Sequence, residues 1–231
     1  MHMPYLLGTR AASFLLALHV LTGTAGSQPA AVTRQSARAD ASGWAVLFDG
    51  EQLGHWQPST FFRAGAVTVE RGQIVLGKGQ DLTGITWTGP DLPGSNYEIR
   101  LQAMRIEGTD FFAGITFPVD GMFCTLVLGG WGGYTVGLSS INGRDASEND
   151  TTLSIEFESG RWYDVRLRVT PATIEAWLDD RQIVAQDVPG HDFDTRLEVE
   201  PSLPFGIASW QTKAALREIR LRRLDVKDPR D

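Results

Sequence analysis

Residues 161–170 read RWYDVRLRVT, and this stretch decides the fold that the sequence predicts. Tyr163, Val165, Leu167 and Val169 alternate in it with polar or charged residues. Successive side chains of a strand point to opposite faces, so this alternation predicts a strand with one buried and one solvated face.

The same period of two recurs at residues 96–103, NYEIRLQA, and turn signals separate further apolar runs. Arg71-Gly72 divides AVTVE from QIVLG, and Asp179-Asp180 divides TIEAWL from RQIVA, so each pair predicts a hairpin. No window of about 12 residues carries a sustained helical stripe. We therefore predict an all-β fold, an antiparallel β-sandwich or jelly roll.

The ends of the chain differ from its centre. Residues 1–27 contain no acid and hold a short apolar run after Arg10, which predicts a secretory signal peptide. The run is too short to span a bilayer, so we expect no membrane span and a secreted or periplasmic protein. Residues 28–42 have few large apolar side chains and predict a disordered tether. A single domain is then expected at 43–225, followed by a tail at 226–231.

Charge and composition exclude several classes of function. The chain has 21 Lys+Arg and 28 Asp+Glu, a formal net charge of −7, which argues against a nucleic-acid partner. Cys124 is the only cysteine, lies in an apolar run and is expected to be a buried, inert thiol. His55 and His191 are the histidines that follow the signal peptide, and their separation argues against a zinc or serine-triad enzyme.

The segment 129–151, GGWGGYTVGLSSINGRDASENDT, is rich in glycine, acids and amides. Long connections in compact domains are usually functional, so we predict that this segment forms a loop over the functional site. A competing interpretation is a decorated hairpin, because Asn142-Gly143 is a strong turn signal.

Four segments together resemble a known family. GWAVLFDGEQLGHW at 43–56 is similar to the opening of the secreted 3-keto-disaccharide hydrolase family, and 160–184 resembles a central strand and hairpin of that family. PFGIASW at 204–210 and ALREIRLRRL at 215–224 resemble its close. The resemblance implies a concanavalin A-like β-sandwich that acts on a saccharide or an oxidised saccharide.

One departure from the family pattern bears on the chemistry. Where many members carry carboxylates on a middle strand, this chain has FCTLVLGG at 123–130, with Thr125 and no acid. The acids must then come from Asp145, Glu148 or Asp110, or the chemistry has been lost. The latter alternative predicts a non-catalytic, lectin-like module, and the tether leaves a protein-interaction module as a third hypothesis.

The candidate catalytic residues are Asp145, Glu148 and Arg144. A sugar oxidised at C3 has an acidic hydrogen on C2, so proton abstraction followed by loss of the group on C1 breaks its glycosidic bond. Asp145 and Glu148 are candidates for base and acid, and Arg144 for stabilising the developing oxygen charge. The same two carboxylates would suit a retaining glycosidase. The competing interpretation of Asp145-x-x-Glu148 is a capping pattern.

The candidate substrate-binding residues are Trp131 and Trp210, which would stack on a sugar ring, together with Asn142 and Asp110. Core tryptophans and a turn-capping aspartate are the alternatives. We also expect Arg144 to hold the acids near it, so that the predicted loop folds back over the sheet. No cofactor or metal site is predicted, with calcium at the acids of 145–150 and 192–194 as a weaker hypothesis.

Overall fold

A computed structural model describes residues 43–225, which contain fifteen strands and one short 3-10 helix. The signal peptide, tether and tail that the sequence predicts lie outside the described residues. The strands are β1 (Ala45–Val46), β2 (Trp56–Pro58), β3 (Val67–Glu70), β4 (Gln73–Leu76), β5 (Leu82–Trp87), β6 (Tyr97–Glu107), β7 (Ala113–Val119), β8 (Met122–Gly130), β9 (Thr135–Ser139), β10 (Leu153–Ser154), β11 (Trp162–Val169), β12 (Thr173–Leu178), β13 (Arg181–Asp187), β14 (Gly206–Trp210) and β15 (Lys213–Arg223), and the helix is Leu197–Ser202.

The strands form two antiparallel sheets that pack face to face. Sheet A has the order β13-β12-β11-β6-β15-β4-β3, with β1 paired to β15. Sheet B has the order β10-β9-β8-β7-β14-β5-β2. The inner faces share one apolar core, to which sheet A contributes Ile99 and Leu167 and sheet B contributes Ile115 and Leu126. The predicted antiparallel β-sandwich is therefore confirmed.

Local turn chemistry explains the hairpins that the sequence predicts. Arg71-Gly72 joins β3 to β4, and Asp179-Asp180 joins β12 to β13. Asn142 and Gly143 have φ angles of 51° and 74° between Ile141 and Arg144, which form an isolated bridge. Positive φ at both central residues is what a tight hairpin turn requires, so the hairpin interpretation of Asn142-Gly143 is confirmed.

The prediction of one long loop over 129–151 is wrong. Strand β8 extends to Gly130 and β9 begins at Thr135, so the glycine-rich stretch is a short hairpin turn around Trp131. Gly132 and Gly133 have φ angles of 88° and 108°, which permit so tight a reversal. The irregular loop starts only after Ser139 and ends before β10.

Cys124 lies on the inner face of β8 and is fully buried. Burial raises the pKa of its thiol to about 12. The expectation of a buried thiol is confirmed, and a thiol that stays protonated is a poor nucleophile. In the described part of the chain, no helix is long and apolar enough to cross a membrane.

Candidate functional site

A cavity of about 220 Å³ opens on the outer face of sheet B. Its floor comes from β8 and β9, and its walls come from the segment before β7, the β8–β9 turn, the end of β14 and the segment around the 3-10 helix. The lining side chains are Asp110, Phe111, Thr125, Val127, Trp131, Ser139, Arg196, Glu198, Val199 and Trp210. Aromatic walls around a few polar groups are typical of a small-molecule site.

The floor of the cavity follows from the alternation of β8 and β9. Leu126 and Leu138 point into the core, so Thr125 and Ser139 point to the outer face. Thr125 shares a hydroxyl hydrogen bond of 3.0 Å with Thr116. The Ser139 hydroxyl is buried and has no hydrogen-bond partner among the described residues. An unpaired buried hydroxyl costs about 1–3 kcal/mol, so a bound ligand or water that pairs with it would be stabilised.

The β8–β9 turn presents Trp131 at the mouth of the cavity, with 44% of its surface exposed. Arg105 fixes this turn from below, because its Nη2 donates a hydrogen bond of 3.0 Å to the carbonyl of Gly133. Its guanidinium lies 5.4 Å from the ring centre of Phe112 and 5.8 Å from that of Phe157. Burial lowers the pKa of Arg105, while Tyr163 and Asp110 act in the opposite direction. The turn is thus held rigidly by a buried cation.

Asp110 joins two walls of the cavity. Its Oδ1 accepts a hydrogen bond of 2.7 Å from the backbone N–H of Phe111, and its Oδ2 accepts one of 3.1 Å from that of Gly132. Its own backbone N–H donates to the hydroxyl of Thr212 at 3.2 Å. The carboxylate therefore ties the segment before β7 to the β8–β9 turn, besides facing the cavity.

The charged wall of the cavity consists of Arg196 and Glu198. Nη2 of Arg196 donates to Oε1 of Glu198 at 2.9 Å. The hydrogen bond from Arg196 lowers the pKa of Glu198, and the bond to Glu198 raises the pKa of Arg196. Glu198 is therefore ionised at neutral pH beside a fixed guanidinium.

Asp145 supports this wall from outside the cavity. Nη1 of Arg196 donates to Oδ2 of Asp145 at 2.8 Å. Oδ1 of Asp145 accepts hydrogen bonds from the backbone N–H and the hydroxyl of Ser147, at 2.9 and 2.6 Å. Asp145 is thus a positioning partner of Arg196, since it does not line the cavity itself.

The loop between β9 and β10 folds back over β9, as the sequence analysis expects, but Asn149 holds it there. Nδ2 of Asn149 donates to the carbonyls of Leu138 and Asp145, at 2.7 and 2.8 Å. Oγ1 of Thr151 accepts a hydrogen bond of 2.9 Å from the backbone N–H of Leu138. The expectation that Arg144 holds the loop acids is not what the structure shows, because the carboxylate of Asp145 pairs with Arg196 instead.

The structure separates the predicted site residues, and three of them line the cavity on sheet B. Asp110, Trp131 and Trp210 line the cavity, and the ring centre of Trp210 lies 6.5 Å from that of Phe111. Arg144 and Asn142 line a separate cavity of about 250 Å³, on the far side of the loop turn.

Glu148 is exposed and joins neither cavity; its backbone N–H donates to the carbonyl of Asp145 at 3.0 Å, as part of a single turn. The predicted pairing of Asp145 with Glu148 at the site is therefore not formed by their side chains.

Sequence reasoning missed Arg196, Glu198 and Ser139. A signal existed in TRLEVEP, where a single arginine stands between acids just before a proline-containing turn. Among the described residues, no group of three or more His, Cys, Asp or Glu side chains is arranged to hold a metal ion, and this includes the acids of 145–150 and 192–194.

Comparisons with known proteins agree with the β-sandwich fold. A family model described as the 3-keto-alpha-glucoside-1,2-lyase-like domain matches residues 43–222. A predicted glycosyl hydrolase from Parabacteroides distasonis is similar in structure, with a TM-score of 0.54 at 14% identity over 80% of this chain and 95% of that one. The Crh5 transglycosylase in complex with NAG has a TM-score of 0.54 at 13% identity, covering 80% of this chain and 85% of that one. No curated protein sequence matches the chain.

Proposed function

The chain belongs to the family of the 3-keto-alpha-glucoside-1,2-lyase-like domain, and from this premise we propose that it cleaves the glycosidic bond of a 3-keto-glycoside in the cavity on sheet B. The family and the sandwich fold make it a glycosyl hydrolase-like or carbohydrate-binding domain. The observation that carries the finer proposal is the Arg196–Glu198 pair, an ionised carboxylate and a fixed guanidinium side by side in an aromatic cavity.

The proposed reaction is a β-elimination. The carboxylate of Glu198 removes the proton on C2, and the C–H electron pair forms the double bond between C1 and C2. The bond from C1 to the leaving oxygen breaks, and that oxygen takes a proton from water. The resulting hydroxide takes the C2 proton from the Glu198 carboxyl group, which restores the carboxylate and the water. Donor groups of Arg196 stabilise the negative charge that develops on the C3 oxygen, which offsets the low basicity of Glu198.

The other lining residues fit a sugar. Trp131 and Trp210 offer flat faces at the cavity walls, which suit stacking on the apolar face of a sugar ring. The unpaired hydroxyl of Ser139 and the hydroxyl of Thr125 are suited to the sugar hydroxyls above the floor. These contacts orient the substrate, and a fixed orientation lowers the entropic part of the reaction barrier.

The test is an assay of the purified protein with 3-keto-glycosides and with the matching unoxidised glycosides. We expect product only from the keto sugars, and a loss of about 100-fold or more in kcat for Glu198→Gln. Glu200→Gln is the matched control, because Glu200 is an exposed acid of the same helix that does not line the cavity. Equal losses in both variants, or no product from either panel, would contradict the proposed catalysis.

A non-catalytic carbohydrate-binding function is the second candidate. The observation that favours it is that the carboxylate of Asp110 already accepts two backbone hydrogen bonds and that of Asp145 is held in an ion pair. This function predicts that the protein binds a sugar without cleaving it. Neither the unaltered protein nor Glu198→Gln should then show turnover.

We also propose that residues 1–27 direct the protein to the periplasm or the medium. Their composition supports this proposal, because an acid-free segment with a short apolar run is typical of a cleaved signal. Determination of the amino terminus of the exported protein tests it; a mature chain that still begins at Met1 would contradict it.

A further inference from the structure

A second and larger groove lies on the outer face of sheet A, across the sandwich from the cavity on sheet B. Its volume is about 1070 Å³, and polar side chains make up most of its lining. Six arginines line it: Arg71, Arg100, Arg161, Arg166, Arg217 and Arg220. This concentration of cations is unexpected in a chain whose formal net charge is −7.

A buried carboxylate lies beneath two of the arginines that line the groove, Arg100 and Arg166. Glu98 lies on the outer face of β6, yet its side chain is fully buried beneath four guanidinium groups. Arg100, Arg168 and Arg222 lie 3.1, 3.2 and 3.1 Å from its oxygens, and Arg166 lies 3.5 Å away. Arg168 also lies 3.8 Å from Glu175, so four guanidinium groups face two carboxylates, which leaves a local excess of positive charge.

The carboxylate of Glu98 stays ionised. Burial acts to raise its pKa, but hydrogen bonds from Arg222 and Arg100 and the charges of Arg222 and Arg166 outweigh burial, so its pKa is below the usual value. The surrounding arginines are therefore fixed by a permanent charge, whereas free arginines would repel one another and lose their common orientation.

Tryptophans hold two of these arginines in place for a ligand. The guanidinium of Arg166 lies 3.6 Å from the ring centre of Trp177, and that of Arg100 lies 5.1 Å from the ring centre of Trp44. In the part of the chain that the structure describes, the terminal Nη atoms of Arg100 and Arg166 have no hydrogen-bond partner. They are donors held in a fixed plane and free to bind an anion in a fork.

Acidic residues among those that line the groove restrict the kind of anion. Asp164, Asp179, Asp180 and Glu218 line it beside the arginines. A duplex nucleic acid, with one negative charge about every 1.7 Å, would bring phosphates onto these acids. A saccharide with carboxylate groups suits both kinds of residue, because its carboxylates pair with guanidinium groups and its hydroxyls donate to the acids.

We propose that the groove on sheet A binds an acidic oligosaccharide, with Arg100 and Arg166 holding its carboxylates. This site shares no residue with the cavity on sheet B, and it stands whether or not that cavity is catalytic. In an exported protein, such a groove would retain the chain on an acidic polysaccharide.

Isothermal titration of the full chain with oligogalacturonate tests the proposal, with the methyl-esterified oligomer as the uncharged control. We expect binding of the charged oligomer that weakens as salt is raised, and no binding of its ester. Arg100→Gln should weaken binding about tenfold, the loss expected for one charge-assisted hydrogen bond. Arg181→Gln is the matched control, an exposed arginine of sheet A outside the groove.

Arg166→Lys keeps the positive charge but removes the paired N–H donors of the guanidinium, so it should also weaken binding of the oligomer. The other arginines keep Glu98 paired in this variant. Chemical protection supplies a readout on the unaltered protein: the oligomer should shield Arg100 and Arg166, but not Arg181, from phenylglyoxal. Equal binding of the esterified oligomer, unprotected groove arginines, or binding to phosphatidylglycerol vesicles without binding to the oligomer would each overturn the proposal.

Discussion

Asp145 and Arg196 form an ion pair of 2.8 Å between residues 51 positions apart in the sequence. Arg196 lines the cavity on sheet B, whereas Asp145 stands behind it in the loop between β9 and β10. The pair therefore connects the fold of that loop to the charged wall of the cavity, and changes in the loop should reach the site through Arg196.

The first prediction concerns Asp145. Asp145→Asn should lower the turnover of a 3-keto-glycoside about tenfold, because a misplaced guanidinium stabilises the developing charge less well. Stability should fall by about 1 kcal/mol or less, since the pair is partly exposed. Steady-state kinetics and urea unfolding measure the two effects. Asp150→Asn, an exposed acid of the same loop, should change neither quantity.

The second prediction compares two arginines. Arg196→Ala should lower kcat about 100-fold or more, since the guanidinium lines the cavity and holds Glu198. Arg144→Ala should leave cleavage nearly unchanged, because Arg144 lines a different cavity. Cleavage activity per folded molecule, measured for both variants, tests the difference. A severe loss of cleavage activity in Arg144→Ala, with an unchanged melting temperature, would show that the active site includes the loop between β9 and β10.

The third prediction is a pH dependence. The hydrogen bond from Arg196 holds the pKa of Glu198 below its usual value of 4.5, so the base is ionised at and above that pH. The associated stability is present above pH 4.5 and is lost as the pH falls through the lowered pKa. In Arg196→Gln the acid limb of the residual kcat/KM profile should move to higher pH. An unmoved limb would show that Glu198 is not the titrating base.

The fourth prediction concerns Trp131, whose ring stands at the cavity mouth. Trp131→Ala should weaken sugar binding by about 1 kcal/mol, roughly fivefold, since a stacking face is lost. Stability should change little, because the side chain is half exposed. Tyr134→Ala is the matched control: it removes an exposed aromatic of the same turn that does not line the cavity. Similar losses of affinity in both variants would contradict a stacking role.

The fifth prediction concerns the buried Glu98. Glu98→Gln should destabilise the fold by about 3 kcal/mol, because four guanidinium groups lose their only buried counter-charge. Glu218→Gln, which alters an exposed partner of Arg220 on the same face, should cost about 0.5 kcal/mol or less. Urea unfolding at neutral pH measures the free energy of unfolding of both variants. An equal loss of stability in the two would contradict a larger contribution from the buried Glu98.

Much of the architecture could be predicted from local patterns. The alternation in 161–170 and 96–103 predicts β11 and β6, because a strand's period of two needs no knowledge of its neighbours. The turns at Arg71-Gly72 and Asn142-Gly143 are likewise local, since residues that tolerate positive φ select them. The number of short strands predicted the sandwich, and the family resemblance added that it is of the concanavalin A-like type.

The sites depended on which strands become neighbours. Alternation indicates that Glu98 and Arg168 face outward, but not that β6 pairs with β11 on one side and β15 on the other, which brings Arg168 and Arg222 onto one carboxylate. Thr125 likewise faces outward from β8. It becomes part of a cavity floor only because the β8–β9 turn and the segment around the 3-10 helix form walls beside it.

Residues near in sequence were also separated by the fold. Arg144 and Asp145 are adjacent, yet Arg144 lines a separate cavity, whereas Asp145 pairs with Arg196 of the cavity on sheet B. The sequence by itself determined the strands, the turns and the side of the sheet that each residue faces, since these follow from local geometry. Only the tertiary structure decided that Arg196 and Glu198 form a wall of the cavity, because burial of Val199 against Leu82 and Ala208 packs their segment onto sheet B.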